Sequence, residues 1–193
     1  DGYGNLVIRR AHDIEPALQK FEGRELMVEE MVNFVRELAV IVARSANGTV
    51  RAYPVVETIQ KNNVCHIVRC PASTEEDVAR LANDMAIQAV EAIDGVGVFG
   101  VEMFEIANNQ ILFNEIAPRP HNSGHYTIEG TITSQFENHV RAILGYPLGD
   151  VAQIAPATAM INILGERKGE PNLESLSEVL RIGGTHLHLY GKD

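Results

Sequence analysis

Cysteine occurs only twice in the chain, at Cys65 and Cys70. Two thiols cannot build a disulfide framework, and their spacing matches neither a CxxC redox pair nor a zinc site. Both are expected to be idle thiols in a reducing, cytoplasmic setting. No apolar run approaches the roughly 20 residues that a membrane-spanning helix needs. The first ten residues, DGYGNLVIRR, hold no apolar signal region. They also lack a starting Met, so the chain is expected to be cut at this end. An excess of positive charge is missing too. Lys and Arg number 16 against 26 Asp and Glu, for a formal net charge of −10. The resulting field repels polyanions, which argues against nucleic-acid and anionic-membrane partners. Repeats, low-complexity linkers and heptad runs are absent as well.

What is present reads as one domain, or one and a fraction, over 193 residues with 45% hydrophobic and 22% charged content. Short strands are expected at Asn5 to Arg9 and Leu26 to Glu29, with a helix over Ile14 to Phe21 between them. ELAVIVARS, Glu37 to Ser45, is a buried strand by its β-branched apolar run. Asn47-Gly48 then turns the chain into a returning strand over Thr49 to Thr58. A further strand follows at His66 to Arg69. Ser73 to Ile93 is the clearest helix, capped by Ser73 or Thr74. Val78, Leu81, Ala82, Met85, Ala89 and Val90 form its expected buried stripe. Gly97 to Ile106 and Gln110 to Ile116 form a hairpin across Asn108-Asn109. Thr133 to Leu144 and Leu173 to Leu180 are helical, and Ala157 to Leu164 and Thr185 to Tyr190 are late strands. This order predicts an α+β fold, a mostly antiparallel sheet flanked by helices.

The densest chemistry lies in FNEIAPRPHNSGHYT, Phe113 to Thr127. Arg119 offers a planar fork for a carboxylate or phosphate, and His121, Asn122 and Ser123 add neutral donors and acceptors. Gly124 lets backbone approach a ligand closely. A loop that merely satisfies its own turns is the alternative. Upstream, a hairpin centred on Asn108-Asn109 sets Glu102 opposite Glu115, and two facing carboxylates repel. A hard divalent cation such as Mg²⁺ removes the conflict. Otherwise, one carboxylate turns to solvent. Two weaker patterns stand beside these. DGYGN, with Gly2 and Gly4 around one residue, suits a loop over an anion or a plain turn. Glu29, Glu30, Met31 and Val32, followed by Glu37, suit an adenine-binding strand edge with a ribose-binding acid, or a solvated strand end. His66, His139, His186 and His188 are expected at the surface or core edge.

Together these segments resemble the ATP-grasp carboxyaminoimidazole ribonucleotide synthetases, above all the form joined to a carboxylase in fungi and plants. The likeness rests on NEIAPRPHNSGHYT, ELAVIVARS, YPVVETIQKNN, GVFGVEMF, TSQFENHVRAILGYPLG and HLYGKD, and spans essentially the whole chain. The resemblance implies an ATP-grasp fold, with residues 1–32 ending the small subdomain and 33–193 forming most of the large one. It implies ATP and Mg²⁺, with Glu102 and Glu115 as metal ligands. Gly2, Gly4, Glu29, Glu30, Met31, Val32, Glu37, Gln60 and Asn114 are the implied nucleotide contacts, with Glu115. Asp1 is expected to hold the substrate amine. Arg119, His121, Asn122 and Ser123 are expected to cage bicarbonate and carboxyphosphate. The implied reaction carboxylates aminoimidazole ribonucleotide with bicarbonate at the expense of ATP, in purine biosynthesis. A tendency to form homodimers and fusion to a carboxylase domain come with the same resemblance.

The chain departs from the pattern at several points. Tyr3 stands where a basic residue is usual and Gln60 where many relatives carry His; Ala117, where many other ATP-grasp enzymes have a ligating Asn, is as usual in this family. An N-terminal nucleotide-fold domain with two ATP lysines is expected before Asp1, and a basic segment after Lys192-Asp193. The chain by itself is therefore expected to bind ATP poorly and to turn nothing over. The rival expectations are another ATP-grasp purine ligase or transformylase, or a non-catalytic ATP-grasp module.

Overall fold

The computed structural model describes residues 4–61, 64–165, 169 and 173–190. Its centre is a sheet of seven strands: β1 (Phe34–Arg44), β2 (Val50–Ala52), β3 (Val56–Lys61), β4 (Val64–Cys70), β5 (Gly97–Ile106), β6 (Gln110–Ala117) and β7 (Thr158–Ile161). The order is β6-β5-β1-β3-β4-β7, with β2 also paired to β1. Every pairing between these strands is antiparallel. This is the expected α+β architecture.

β1 is apolar on both faces because both faces are covered. Leu38, Val40 and Val42 pack with helix α2 (Glu76–Ile93), while Ala39, Ile41 and Ala43 pack on the opposite side. The buried stripe of α2 is Val78, Ala82, Ala86 and Val90, repeating every four residues. Leu81, expected in that stripe, is 52% exposed, one step round the helix from the sheet. Each fully buried Val contributes about 1.5–3 kcal/mol relative to leaving it in water. Glu75 occupies the cap of α2 without a side-chain bond. Thr74, expected as a cap, instead donates from Oγ1 to Glu105 at 2.8 Å, and Glu105 also pairs with Arg36 at 2.8 Å.

The second face is covered by the segment after β6 and by helices α3 (Thr127–Gly130) and α4 (Gln135–Ile143). A buried polar network seats α4. Tyr53 Oη donates to the Thr133 carbonyl at 2.9 Å, and Asn138 Nδ2 donates to Tyr53 Oη at 2.7 Å. Gly149 N–H donates to Asn138 Oδ1 at 2.7 Å.

Three expected strands do not form. Asn5 to Arg9, Leu26 to Glu29 and Thr185 to Tyr190 have no strand partner among the described residues. Leu6, Val7, Ile8, Met27 and Val28 are all exposed. A strand needs a partner edge to satisfy its backbone, and β-branched residues alone do not supply one. The return strand Thr49 to Thr58 splits into β2 and β3 around Tyr53 and Pro54, whose ring removes a ladder N–H. Short helices α1 (Ile14–Lys20) and α5 (Leu176–Val179) lie within the expected helical stretches, neither burying a residue.

Candidate active site

The site grows from the β5–β6 hairpin. Ala107–Asn109 form the turn, with Asn108 and Asn109 in the left-handed region at φ 62° and 57°. A turn of this length pairs Ile106 with Gln110 and Met103 with Phe113, and by continuation would set Glu102 against Asn114. A β-bulge leaves Asn114 unpaired and restores the opposition of Glu102 and Glu115. The expected pairing therefore exists, produced by a bulge rather than by a two-residue turn. Bulges commonly re-aim side chains beside a site.

Glu102 faces the α4 side of the sheet, since its β1 partner is Ala39 and its neighbours Val101 and Met103 belong to the α2 core. Burial pushes the Glu102 carboxyl up to about 7, reinforced by the charges of Glu115 and Glu37. Glu37 sits beside it on β1, hydrogen-bonded to Gln60 and Thr58, with its own pKa raised by burial. Three acids thus share one sheet face. The ligand atoms of Glu102, Glu115 and His121 all lie within 4.8 Å of one another.

His121 is buried behind the acids. Its Nδ1 lies 2.8 Å from Ser123 Oγ and 3.4 Å from the Ser123 backbone N–H. A backbone N–H can only donate, so Nδ1 accepts and the ring proton falls on Nε2. Nε2 lies 3.7 Å from Glu102 Oε1. Burial, then the Arg119 charge, lowers the His121 pKa to about 4, so the ring is neutral. With Nε2 protonated, His121 is a donor toward an anion, while a cation falls to the two carboxylates.

Gly100 makes room for that ring. A Cβ at Gly100 would meet His121 Cβ at 2.5 Å, with the Gly100 strand buried on both sides. Gly100→Ala is expected to destabilise the fold by about 1–3 kcal/mol, as overpacking does, and to displace His121 from Glu102. A thermal melt checks the first effect, and loss of the low His121 pKa by NMR titration checks the second.

Residues unremarked in the sequence hold the loop. Gln135 is fully buried; its Oε1 accepts from His121 N–H at 2.9 Å and its Nε2 donates to the His121 carbonyl at 2.7 Å. Asn162, just after β7, donates to Asn122 Oδ1 at 2.9 Å. Neither has a readable signal in the sequence, because each acts across more than ten residues of chain. Phe34 and Phe104 stack at 4.9 Å and 15°, with Leu112 opposite Phe104 on β6. This apolar platform adjoins Glu37, the β1 partner of Phe104.

Other expected site residues are scattered. Arg119 is exposed and donates to the Pro120 carbonyl at 3.2 Å, while its charge is felt at His121. Glu29, Glu30 and Met31 are exposed and Val32 is half-buried, all ahead of β1 without strand pairing. No described hydrogen bond or ion pair ties them to the acids. Gly4 has φ +106° and open space around it. Asp1, Gly2 and Tyr3 lie outside the described residues, as does the Lys192-Asp193 end. Cys65 and Cys70 are buried, and burial pushes their thiols up to about 12 and 11, as befits idle cysteines.

The site is thus an antiparallel sheet that presents paired acids on one face beside a donor-lined loop. The chain belongs to the ATP-grasp family, whose domain model matches residues 1–136. The phosphoribosylaminoimidazole carboxylase C-terminal domain matches residues 158–193. The chain is 47% identical over 197 residues to phosphoribosylaminoimidazole carboxylase of Schizosaccharomyces pombe, covering all of this chain and 36% of that protein. It resembles the Aspergillus clavatus N5-carboxyaminoimidazole synthase solved with ADP and 5-aminoimidazole ribonucleotide, with TM-score 0.90 and 40% identity. That match covers 97% of this chain and 50% of the other. The carboxyaminoimidazole ribonucleotide synthase of the same organism complexed with ATP matches with TM-score 0.90 and 41% identity, over 99% and 50%. The chain thus spans about a third to a half of the length of these relatives. Among the described residues, no helix is long and apolar enough to cross a membrane.

Proposed function

We propose that the chain supplies the phosphate-transfer and bicarbonate face of an ATP-grasp ligase that carboxylates the amine of aminoimidazole ribonucleotide. The observation that carries this reading is the order of groups along one strand direction. Phe104 and Leu112 lie at one end of the β5–β6 pair, Glu102 and Glu115 follow, and Gly100 with His121 come next. A strand advances about 3.3 Å per residue. An apolar platform for a base with an acid for a ribose, Glu37, beside it, then a metal-phosphate position, then an anion cage therefore succeed one another in steps of two residues, about 7 Å each.

Glu102 and Glu115 fit a hard divalent cation: two opposed carboxylates, one held half-protonated near neutral pH, ask for positive charge between them. When bound, Mg²⁺ neutralises charge spreading over the transferred phosphoryl group. The remaining chemistry falls to the chain and its substrates. A bicarbonate oxygen attacks the γ-phosphorus, and the bond to the β-bridging oxygen breaks, giving ADP and carboxyphosphate. The substrate amine then attacks the carboxyl carbon, losing a proton and releasing phosphate. Arg119, the Nε2 proton of His121 and the Asn122 amide are donors suited to the oxyanions in both steps. Asp1 is assigned to the attacking amine, and residues 1–32 and 33–193 to the small and large ATP-grasp subdomains. Glu29 to Val32 are assigned to the adenine edge.

Calorimetry with Mg²⁺-ATP, on this chain and on a protein extended to the length of its relatives, tests the reading. The extended protein is expected to bind, and to release phosphate only when bicarbonate is present. Arg119→Ala is expected to lower that release at least about a hundredfold, the scale of losing one oxyanion donor. Unchanged bicarbonate-dependent turnover in that variant would sink the assignment.

A further inference from the structure

Asn162 lies outside the segments that carry the chemistry, in the stretch matched by the second family model. Its backbone is fixed on both sides by one residue. Asn162 N–H donates to the His66 carbonyl at 2.8 Å, and His66 Nδ1 lies 3.1 Å from the Asn162 carbonyl, which can only accept. The side chain makes two further contacts through Nδ2, at 2.7 Å to the Cys65 carbonyl and 2.9 Å to Asn122 Oδ1. A backbone carbonyl has no proton to give. The Cys65 contact therefore dictates which end of the Asn162 amide is nitrogen. The second N–H of that same nitrogen meets Asn122, so the end of Asn122 facing it is dictated in turn to be oxygen.

We infer that Asn162 is a positioning residue, which locks the Asn122 amide with its NH₂ group turned to the anion cage. This rests on the function proposed above. A free Asn is ambivalent, presenting either an acceptor or two donors. With Oδ1 held toward Asn162, the end turned away from it carries the donors, and no described hydrogen bond takes them up. The neighbours agree in sign: the cation of Arg119 and the Nε2 proton of His121 are donors as well. A cage of donors selects a small oxyanion, here bicarbonate, and rejects a cation. The preference of the cage is thus set from the opposite edge of the sheet, through β4 and β7, rather than by the loop alone.

The test uses the extended protein and the steady-state KM for bicarbonate and for Mg²⁺-ATP. Asn122→Ala and Asn162→Ala are each expected to raise the bicarbonate KM about tenfold, as for loss of a hydrogen bond to a charged ligand. The ATP KM is expected to stay within about twofold. The double variant is expected to match the single ones, because the two residues act as one device. Asn162→Asp keeps the shape, removes both donors and invites Asn122 to turn round. It is expected to exceed the alanine variant in its effect on bicarbonate. Additive effects, an unchanged bicarbonate KM, or an ATP KM that rises in parallel would overturn the inference. Should the variants unfold, the unaltered protein still decides. Bicarbonate is expected to shift the Asn122 side-chain NH₂ resonances and leave those of Asn162 in place, and the reverse overturns it. If the unaltered extended protein shows no bicarbonate-dependent phosphate release, the functional reading fails and this inference with it. Release that persists with indifferent variants removes only the inference.

Discussion

Replacing Glu102 with Gln is expected to stabilise the ligand-free protein at pH 8 while abolishing Mg²⁺-ATP binding by its extended form. Burial and the charges of Glu115 and Glu37 raise this carboxyl from 4.5 to about 7. The sign follows from proton linkage. Between those values the folded state holds a proton that the unfolded state has lost, so stability falls as pH rises through the window. A tenfold change in proton affinity is worth about 1.4 kcal/mol, which puts the full cost of ionising Glu102 at about 3 kcal/mol. Gln cannot ionise and fills the same space. The variant is expected to melt roughly 5 °C or more above the parent at pH 8, and level with it at pH 5. Scanning calorimetry at the two pH values reads this directly. A second signature lies in the parent: Mg²⁺ is expected to raise its melting temperature at pH 8 and to have little effect at pH 5, since the ion competes with the proton. A Gln variant that is less stable at pH 8, or that still binds Mg²⁺-ATP, would show that the pair is structural.

Gln135→Leu is expected to destabilise the fold. The side chain is fully buried and satisfies both the N–H and the carbonyl of His121. Leu has a similar volume but neither donor nor acceptor, so the buried His121 N–H loses its partner and the His121 carbonyl is left with the Gly124 N–H alone. An unpartnered buried N–H costs about 1–3 kcal/mol, and the melting temperature is expected to fall by about 5 °C. Gln135→Glu separates polarity from packing. One carboxylate oxygen keeps accepting from the His121 N–H, while the other is pressed against the His121 carbonyl. It is expected to destabilise too, and most strongly where the carboxylate is ionised. If Leu is tolerated without loss, the His121 backbone has water partners, and the clamp does not hold the loop.

The sheet is legible wherever one short stretch of chain carries its own instruction. Asn47-Gly48 closes β1 onto β2, and the residues of β1 alternate between two apolar layers. Counting outward from a two-residue turn gives the Glu102–Glu115 opposition; the real turn is one residue longer, and the bulge at Asn114 offsets the difference. Asn5 to Arg9 and Thr185 to Tyr190 show the opposite limit. Their β-branched or alternating residues read as strands, yet no partner edge within the described residues meets them. Strand propensity states what a residue tolerates, and pairing requires a second segment.

The loop chemistry divides in the same way. The sequence alone determined which groups are available: Arg119, His121, Asn122 and Ser123 within five positions, and two acids one hairpin apart. Tertiary structure decided their states. Burial against Gly100 makes His121 neutral, the Ser123 backbone assigns its proton, and Gln135 and Asn162 orient the loop from distant elements. The reason is physical. Residue type and short spacing are properties of the chain, whereas desolvation, proton position and amide orientation depend on which distant groups folding brings within hydrogen-bond reach.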